Sequence, residues 1–174
     1  DCSGEYRTVD SLEAHLQQGA KRVVVSAPVK GGAPNIVMGV NENSAELDGA
    51  KVVSAASCTT NCLAPFVNVL HQALGIERGA VTTLHAPTNT QRVHDGAHRD
   101  QRRARAALTS MIPTTTNSAY AVTMILPELE GKLTSVAVRV PVMNASLVDA
   151  VFQVERDTAV EEVNELLRAA CDQP

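Results

Sequence analysis

The chain has 174 residues, of which 44% are hydrophobic, 20% are charged and only 2% are aromatic, and its formal net charge at pH 7 is −4. This length allows one ordinary domain or pieces of two. The negative net charge gives no reason to expect a nucleic-acid partner. No apolar run approaches the ~18 residues of a membrane span.

The first part of the chain alternates helical and strand-like patterns. Residues 9–18 have a helical pattern with Gly19 as the expected C-cap. Apolar runs predict three short buried strands, at residues 22–26, 35–40 and 52–55. Helices and strands in this order indicate an α/β sheet whose ligand sites lie at the carboxyl ends of its strands.

A long apolar-periodic segment after residue 57 predicts a helix to about residue 74, and the pattern then changes. We expect strands at residues 80–84, 133–142 and 146–155, and helices near residues 101–110, 118–126 and 158–171. The last two strands are separated by three residues, which is a hairpin length, and are expected to be antiparallel neighbours. A parallel α/β part is therefore followed by an antiparallel sheet with helices.

The most informative stretch is residues 56–63, with the sequence ASCTTNCL, between a strand and the long helix. Cys58 falls in the first turn of that helix, where unpaired backbone N–H groups and the helix dipole favour the thiolate form of a cysteine. Ser57, Thr59 and Thr60 add hydroxyl groups and a helix cap. The motif predicts a nucleophile beside a small anion site.

The chain has four cysteines, and their spacing matches no zinc-binding pattern, so no metal site is predicted. Cys58 and Cys62 lie one helical turn apart, which is a poor geometry for a disulfide. We therefore expect reduced thiols and a cytoplasmic location. Cys2 and Cys171 are expected to be inert.

A thiolate nucleophile needs a base or a cation beside it, and the chain offers five histidines. His85 is the best candidate because it ends a predicted strand, where functional sites are commonly built. His94 and His98 are expected to be solvated loop residues. His15 and His71 lie in predicted helices and are expected on the surface.

Arginines and threonines supply candidate anion sites. The arginines among residues 102–105 either bind phosphate, which guanidinium groups hold bidentately, or form a solvated helix face or a subunit contact. The threonines at 114–116 either hold an oxyanion at a helix start or only cap that helix. Arg139 lies in an apolar strand, so it either pairs with a carboxylate such as Asp149 or faces a ligand.

These motifs resemble those of the phosphorylating glyceraldehyde-3-phosphate dehydrogenases along essentially the whole chain. The blocks that carry the resemblance are SAASCTTNCLAP at 54–65, the histidine at 85, RRARAA at 102–107, IPTTT at 112–116, LPEL at 126–129, GKL at 131–133, VRVP at 138–141 and NASLVD at 144–149. Shorter matches at residues 3–4 and 26–28 fall where that family has motifs of its cofactor domain.

The resemblance implies an enzyme that oxidises a sugar-phosphate aldehyde with NAD, without excluding NADP, and passes the acyl group to inorganic phosphate. Cys58 would attack the aldehyde to form a thiohemiacetal, and His85 would be the base. The implied phosphate-binding residues are Ser57, Thr59, Thr88, Arg103, Thr116, Asn117 and Arg139, and the implied cofactor-binding residues are Gly4 and Ser26. The family also implies a cytoplasmic homo-oligomer, a tetramer when complete.

In domain terms, the resemblance implies the C-terminal part of a Rossmann-type NAD domain at residues 1–57. An α+β catalytic domain with a mainly antiparallel sheet would follow at residues 58–174. The glycine-rich dinucleotide fingerprint and the end of the catalytic domain are not in the sequence, so we expect a central fragment of such an enzyme.

Departures from the family pattern bear on specificity. They are Asn117 where the family usually has Gly, Ala86 and Pro87 before Thr88 where it often has Ser-Tyr, and Thr90 where Asp is common. They keep open a variant that uses arsenate in place of phosphate, and a related enzyme acting on erythrose 4-phosphate. A fragment that does not catalyse and serves only as a binding or assembly module is the remaining alternative.

Overall fold

The computed structural model describes residues 1–171. Its N-terminal part contains helix α1 (Val9–Gln17) and a two-stranded parallel sheet formed by β1 (Val23–Val25) and β2 (Val52–Ser54). The positions of these three elements confirm the corresponding sequence predictions.

Helix α1 packs on this sheet and begins where a capping box satisfies its first backbone groups. Ser11 N donates to Thr8 Oγ1 at 3.2 Å, and Thr8 N donates to Ser11 Oγ at 3.1 Å. The helix and the sheet enclose a small apolar core. Its buried members are Leu12, Val23, Val25, Ala33 and Val52.

The strand expected at residues 35–40 is wrong. Asn35 makes one isolated parallel bridge to Ser54, and the chain then turns. The Asn41 side chain accepts from Val37 N at 2.8 Å, so a backbone group that a strand would have paired is satisfied locally.

The second part of the chain begins with helix α2 (Cys58–Leu74), which is followed at once by strand β3 (Ile76–His85). Ser57 caps the start of α2 by accepting from Thr60 N at 3.2 Å. Gly75 turns the chain at the end of the helix with a φ of 68°, a conformation that favours glycine. The helix has the predicted length, and the strand begins earlier than expected.

Strand β3 lies inside a four-stranded sheet with the order β4-β5-β3-β6. β4 (Ile112–Thr114) is antiparallel to β5 (Leu133–Arg139), β5 is parallel to β3, and β3 is antiparallel to β6 (Ser146–Val154). The hairpin expected between the last two strands is therefore wrong, because β3 separates them. Their connection passes the end of β3, where Ala86 N donates to Ala145 O at 3.1 Å.

Helices cover one face of this sheet. α2 and α3 (Ser118–Thr123) pack on the strands, and α4 (Val160–Cys171) packs on α2. The fully buried members of the shared core include Leu63, Val67, Ile76, Val81, Val122 and Leu129. None of the helices within residues 1–171 is both long and apolar enough to cross a lipid bilayer.

The other face of the sheet carries exposed apolar side chains. They include Leu84, Val136, Leu147 and Val151, which are 37%, 56%, 57% and 67% exposed. Leu84 and Leu147 are direct cross-strand partners, so the exposed side chains form a contiguous surface rather than isolated positions.

The helix expected near residues 101–110 is also wrong, since only a 3₁₀ turn forms, at Gln101–Ala104. Beyond this turn, Ala106 N donates to the Asp95 carboxylate at 2.9 Å, so a loop contact replaces a helical hydrogen bond. The α/β class with a mixed, mostly antiparallel second sheet is confirmed, because two of its three strand pairs are antiparallel.

Candidate active site

The turn between β2 and α2 determines where Cys58 lies. Ala56 is buried and has a φ of 58°, a left-handed conformation that is uncommon for a residue with a Cβ. Its N–H donates to Ser54 Oγ at 3.0 Å, which holds this conformation. The chain then enters α2 at Ser57, so Cys58 is the first helical residue and is exposed to solvent.

Asn61 reaches back from α2 to fasten the same turn. Its Nδ2 donates to Ala55 O at 2.8 Å and to Ser57 O at 2.9 Å. Sequence reasoning missed this residue. The one sequence feature that points to Asn61 is an amide side chain one helical turn after a capping serine, where it can reach two main-chain carbonyl groups.

His85 approaches the sulfur from the end of β3. Its Nε2 atom lies 3.5 Å from Cys58 Sγ. The two residues are 27 positions apart in the chain. They meet because β3 follows α2 directly and packs against it. The distance is within the range in which a proton passes between nucleophile and base after a small adjustment.

Arg139 lies on the other side of the imidazole. It is the cross-strand partner of His85 at the end of β5, and its Nη1 contacts His85 Nδ1. The same Nη1 donates to Ala86 O at 2.9 Å. The carboxylate partner considered from the sequence is not used, because Asp149 lies further along β6, opposite Thr82.

The charge of Arg139 is poorly solvated. Burial lowers the pKa of its guanidinium, the negative charge of a Cys58 thiolate opposes this effect, and the positive charge of Arg103 adds to the lowering. Arg139 Nε is buried and has no hydrogen-bond partner among residues 1–171. An anion beside Arg139 would compensate the buried positive charge and give Nε a hydrogen-bond partner.

These groups open into a cleft of about 680 Å³. Its walls come from residues 28–35, from the start of α2 and from the segment that joins β4 to α3. The described residues that line it include three cationic or titratable basic side chains, Lys30, His85 and Arg139, and no carboxylate. The cleft is therefore electrostatically suited to an anion.

Hydroxyl groups on the cleft walls lack partners of their own. Thr83 Oγ1 and Thr114 Oγ1 are buried without a hydrogen bond in the described structure. Both threonines line the cleft. Buried polar atoms are nearly always satisfied in native proteins, so donors and acceptors left free at a cleft indicate a place for a polar ligand.

Seven of the residues proposed from the sequence line this single cleft. They are Ser57, Cys58, Thr59, His85, Thr116, Asn117 and Arg139. Asn117 has a φ of −112°, so its backbone does not need the conformation that favours glycine. Arg103 lies just outside and donates to Thr115 Oγ1 at 3.1 Å.

The remaining proposed residues are not brought to the cleft. Thr88 lies in a separate loop, where its N–H and hydroxyl both bond to Gln91 Oε1. Ser26 lies beside the N-terminal segment, where its N–H donates to Asp1 O at 3.0 Å. Gly4 is an exposed residue of that N-terminal segment. Within residues 1–171 there is no cluster of three or more His, Cys, Asp or Glu side chains that would hold a metal ion.

Residues 30–32 form part of the cleft wall, although the sequence analysis assigned them no role. Gly31 and Gly32 have φ values of 98° and 88°, and neither places a side chain in the cleft. Lys30 precedes them and is held by backbone hydrogen bonds with Arg7 and Val9. A lysine before two glycines is a weak sequence signal for a cleft residue, because the position of Lys30 opposite α2 depends on long-range packing.

Comparison with known proteins gives a consistent family match. The model of the glyceraldehyde 3-phosphate dehydrogenase C-terminal domain matches residues 57–174. Glyceraldehyde-3-phosphate dehydrogenase 3 of a Nostoc species is 55% identical over 173 residues, 99% of this chain and 51% of that protein. The glyceraldehyde-3-phosphate dehydrogenases of Pseudomonas aeruginosa and Geobacillus stearothermophilus are 54% and 51% identical over 172 residues, with the same coverage. The chain thus spans about half the length of the curated relatives that it matches.

Proposed function

The chain belongs to the glyceraldehyde-3-phosphate dehydrogenase family, and on this premise we propose that it carries the acyl-transfer site of a phosphorylating aldehyde dehydrogenase. The observation that carries the proposal is the pair formed by Cys58 Sγ and His85 Nε2, 3.5 Å apart in a cleft that no carboxylate of the described residues lines. The substrate would be a sugar-phosphate aldehyde, and the acyl acceptor would be inorganic phosphate.

Cys58 is the nucleophile in this proposal. Its position at the first turn of α2 places the sulfur beside unpaired backbone N–H groups and the positive end of the helix dipole. The thiolate would attack the aldehyde carbon, forming the C–S bond of a thiohemiacetal, while the carbonyl oxygen takes up a proton.

His85 is the general base. Its Nε2 would accept the hydroxyl proton of the thiohemiacetal while the hydride leaves the same carbon, which becomes the carbonyl carbon of a thioester. A phosphate oxygen would then attack this carbon. The C–S bond breaks, the acyl phosphate departs, and the Cys58 thiolate is restored.

Arg139 and the threonines around residues 114–116 would bind the two phosphate groups. Arg139 is half-buried, and no group within residues 1–171 bonds its Nε, so a phosphate oxygen would satisfy this atom by a charge-assisted hydrogen bond. Thr116 lies on the same cleft as Cys58, and Arg103 contacts the neighbouring threonine. Arsenate has the same shape and charge as phosphate and would bind at the same groups.

The hydride acceptor would be NAD, and the cleft fits its nicotinamide end. Tyr120 and Met124 line the cleft and are 64% and 49% exposed, so they supply an apolar surface for a flat ring beside Cys58. The side-chain-free backbone at Gly32, where a Cβ would meet no atom within 4 Å, leaves room on another wall of the cleft. When bound, the cofactor supplies only the acceptor for the hydride.

We also propose that the complete protein is a homo-oligomer, and the exposed face of the second sheet supports this. Val136, Leu147 and Val151 lie on a contiguous apolar surface of the kind that subunit interfaces cover. Val151→Lys should lower the association state measured by light scattering. An unchanged association state would contradict this part of the proposal.

The test of function is turnover by the complete polypeptide that contains this chain. Cys58→Ser should abolish NADH formation from glyceraldehyde 3-phosphate and inorganic phosphate, because a serine hydroxyl is a far weaker nucleophile than a thiolate. Cys62→Ser, four residues along the same helix, is the matched control and should retain activity. Retained turnover in the first variant would refute the nucleophile assignment.

A second measurement separates the catalytic site from the inert-fragment alternative. Cys58 should react with iodoacetamide much faster than Cys62 at pH 7, since only Cys58 has an imidazole within 3.5 Å and lies in the first turn of α2. Peptide mapping by mass spectrometry reports both rates in one sample. Equal rates would favour a binding or assembly module.

A further inference from the structure

The connection between β5 and β6, residues 140–145, passes the end of β3 and holds the backbone next to His85. Val140 N donates to His85 O at 2.9 Å, and Ala86 N donates to Ala145 O at 3.1 Å. The oxygen of the first bond and the N–H of the second belong to one peptide group, which joins His85 to Ala86. The connection therefore binds both polar atoms of this peptide group.

His85 needs such support because it is the last residue of β3. The ends of secondary-structure elements open locally at little cost in free energy, whereas a general base has to stay within reach of the proton that it takes. The backbone on both sides of His85 sets the direction of its Cα–Cβ bond. The peptide group after His85, together with the strand before it, thus determines where the imidazole lies.

Ala145 presents its carbonyl group from an uncommon conformation. Its φ is 73°, in the left-handed region that residues with a Cβ seldom adopt. The side chain before it supports this conformation, because Asn144 Oδ1 accepts from Ala145 N at 2.8 Å. A residue in a sparsely populated conformation persists only where its surroundings fix it. For Ala145 the surroundings are the Asn144 amide on one side and Ala86 N–H on the other.

Neither residue touches the reacting groups. Asn144 and Ala145 are exposed and do not line the cleft. In the part of the chain that the structure describes, the Asn144 side chain makes one hydrogen bond, the bond to Ala145 N. Any influence of Asn144 on the site must therefore pass through the backbone of the connection to β3.

We propose that Asn144 is a positioning residue: by holding Ala145 in its left-handed conformation, it fixes the peptide group after His85 and keeps the imidazole within reach of Cys58. This inference rests on the proposed function, because it takes His85 as the base. It goes beyond that function by making the placement of the base depend on a side chain outside the cleft.

The first test compares the rates at which iodoacetamide labels Cys58 and Cys62 at pH 7 in the complete polypeptide. An imidazole beside a thiol promotes the thiolate form, so displacement of His85 should slow the labelling of Cys58 and not that of Cys62. Asn144→Ala should lower the ratio of the two rates by about 2- to 10-fold, the factor by which one hydrogen bond shifts an equilibrium. Asn144→Asp keeps an oxygen acceptor and should retain the wild-type ratio.

Ala145 provides a second, independent pair of variants. Ala145→Val places a β-branched residue at positive φ, so it should disturb the conformation and lower the labelling ratio as Asn144→Ala does. Ala145→Gly keeps the carbonyl group and adopts positive φ without steric strain, so the ratio should stay at the wild-type value. Asn43→Ala changes an exposed turn residue and is the control, with no change expected. Circular dichroism establishes that each variant is folded under the labelling conditions.

Rapid mixing with the aldehyde and NAD separates positioning from general structural damage. In Asn144→Ala the first turnover, followed as NADH formation, should be slowed by about 2- to 10-fold at saturating aldehyde. The aldehyde concentration that gives half of the maximal rate should not change, because Asn144 does not line the cleft.

The inference is overturned if folded Asn144→Ala and Ala145→Val both have the wild-type labelling ratio, or if Asn144→Asp loses that ratio to the same extent as Asn144→Ala. An equal loss in Asn43→Ala also overturns it. The labelling ratio does not require turnover. Absence of NADH formation by the wild type therefore overturns the proposed function, while the labelling ratios still decide whether Asn144 positions His85.

Discussion

Asn61→Ala is a direct test of how the turn before Cys58 is held. The side chain makes two hydrogen bonds to main-chain carbonyl groups, to Ala55 O at 2.8 Å and to Ser57 O at 2.9 Å. The turn that it closes contains Ala56 in its left-handed conformation, with a φ of 58°. Removing the amide leaves both carbonyl groups without this donor.

The expected loss follows from these contacts. Each hydrogen bond contributes about 0.5–1.5 kcal/mol net, so two contribute about 1–3 kcal/mol. Alanine is the better helix former by about 0.6 kcal/mol, which offsets part of the loss. We therefore expect Asn61→Ala to lower the free energy of unfolding by about 0.5–2.5 kcal/mol.

Asn68→Ala is the matched control, because it makes the same exchange on the same helix. In the described part of the chain, the Asn68 side chain bonds only to another side chain, accepting from Gln72 Nε2 at 3.0 Å on the surface. Its propensity gain and its lost contact should nearly cancel, within about 0.5 kcal/mol. The difference between the two variants thus cancels helix propensity and reports the two main-chain bonds of Asn61 minus the one surface contact of Asn68.

Urea unfolding followed by circular dichroism measures both free energies. Turnover of the complete polypeptide should also fall in Asn61→Ala, by up to about 100-fold, because a misplaced nucleophile reacts slowly. If both variants unfold at the same urea concentration, the amide of Asn61 does not hold the turn, and our account of how Cys58 is positioned fails.

Two further predictions concern packing and charge. A Cβ at Gly79 would lie 2.8 Å from Phe152 Cε1, so Gly79→Ala should lower the free energy of unfolding in urea by about 1–2 kcal/mol. Gly96→Ala is the control, because its Cβ would meet no atom nearer than 3.8 Å, and it should change that free energy by less than about 0.5 kcal/mol. Equal effects of the two variants would show that Gly79→Ala does not overpack the site. Hydrogen bonds and the charge of Arg156 lower the pKa of Glu162 to about 2, so its contribution to stability is present above the ordinary value of 4.5 and is lost as the pH falls through about 2. Carbon-13 titration should give this pKa in the wild type and a higher pKa in Arg156→Gln, still below 4.5 because the Thr158 hydroxyl continues to donate to the carboxylate. An unchanged pKa would exclude the ion pair as its cause.

Local rules made the position of Cys58 predictable. A β-branched run, a capping serine and an apolar helical period are all contained within residues 52–74. Each is decided by neighbours in the chain, and the structure has strand, turn and helix in that order. His85 was identifiable as a strand end for the same reason.

The errors lie where a nearby side chain binds a backbone group that the expected helix or strand would have paired. Residues 35–40 are apolar enough for a strand, but the Asn41 side chain captures a backbone group and the chain turns. Residues 101–110 have helical composition, but Asp95 accepts from Ala106 N and ends the turn. Side-chain capture of this kind depends on which residues fold back, and no periodicity reports it.

The contact between Arg139 and His85 was missed for a different reason, because it depends on long-range strand pairing. The sequence indicated only that a charge in an apolar strand needs a partner. Their pairing follows from the register of β5 on β3, and this register exists because β3 lies between two strands that the sequence suggested were neighbours. An incorrect strand order was enough to hide the partner.

The meeting of Cys58 and His85 has a simple geometric cause. α2 has 17 residues and is about 26 Å long, and β3 has 10 residues and is about 33 Å long. Gly75 reverses the chain between them, so the strand returns along the helix and ends near the helix start. A change of one residue in β3 would turn His85 to the other face of the sheet. Cys58 and His85 are therefore coupled through one helix–strand unit, and the length of that unit and its glycine turn are as necessary to the proposed site as the two side chains.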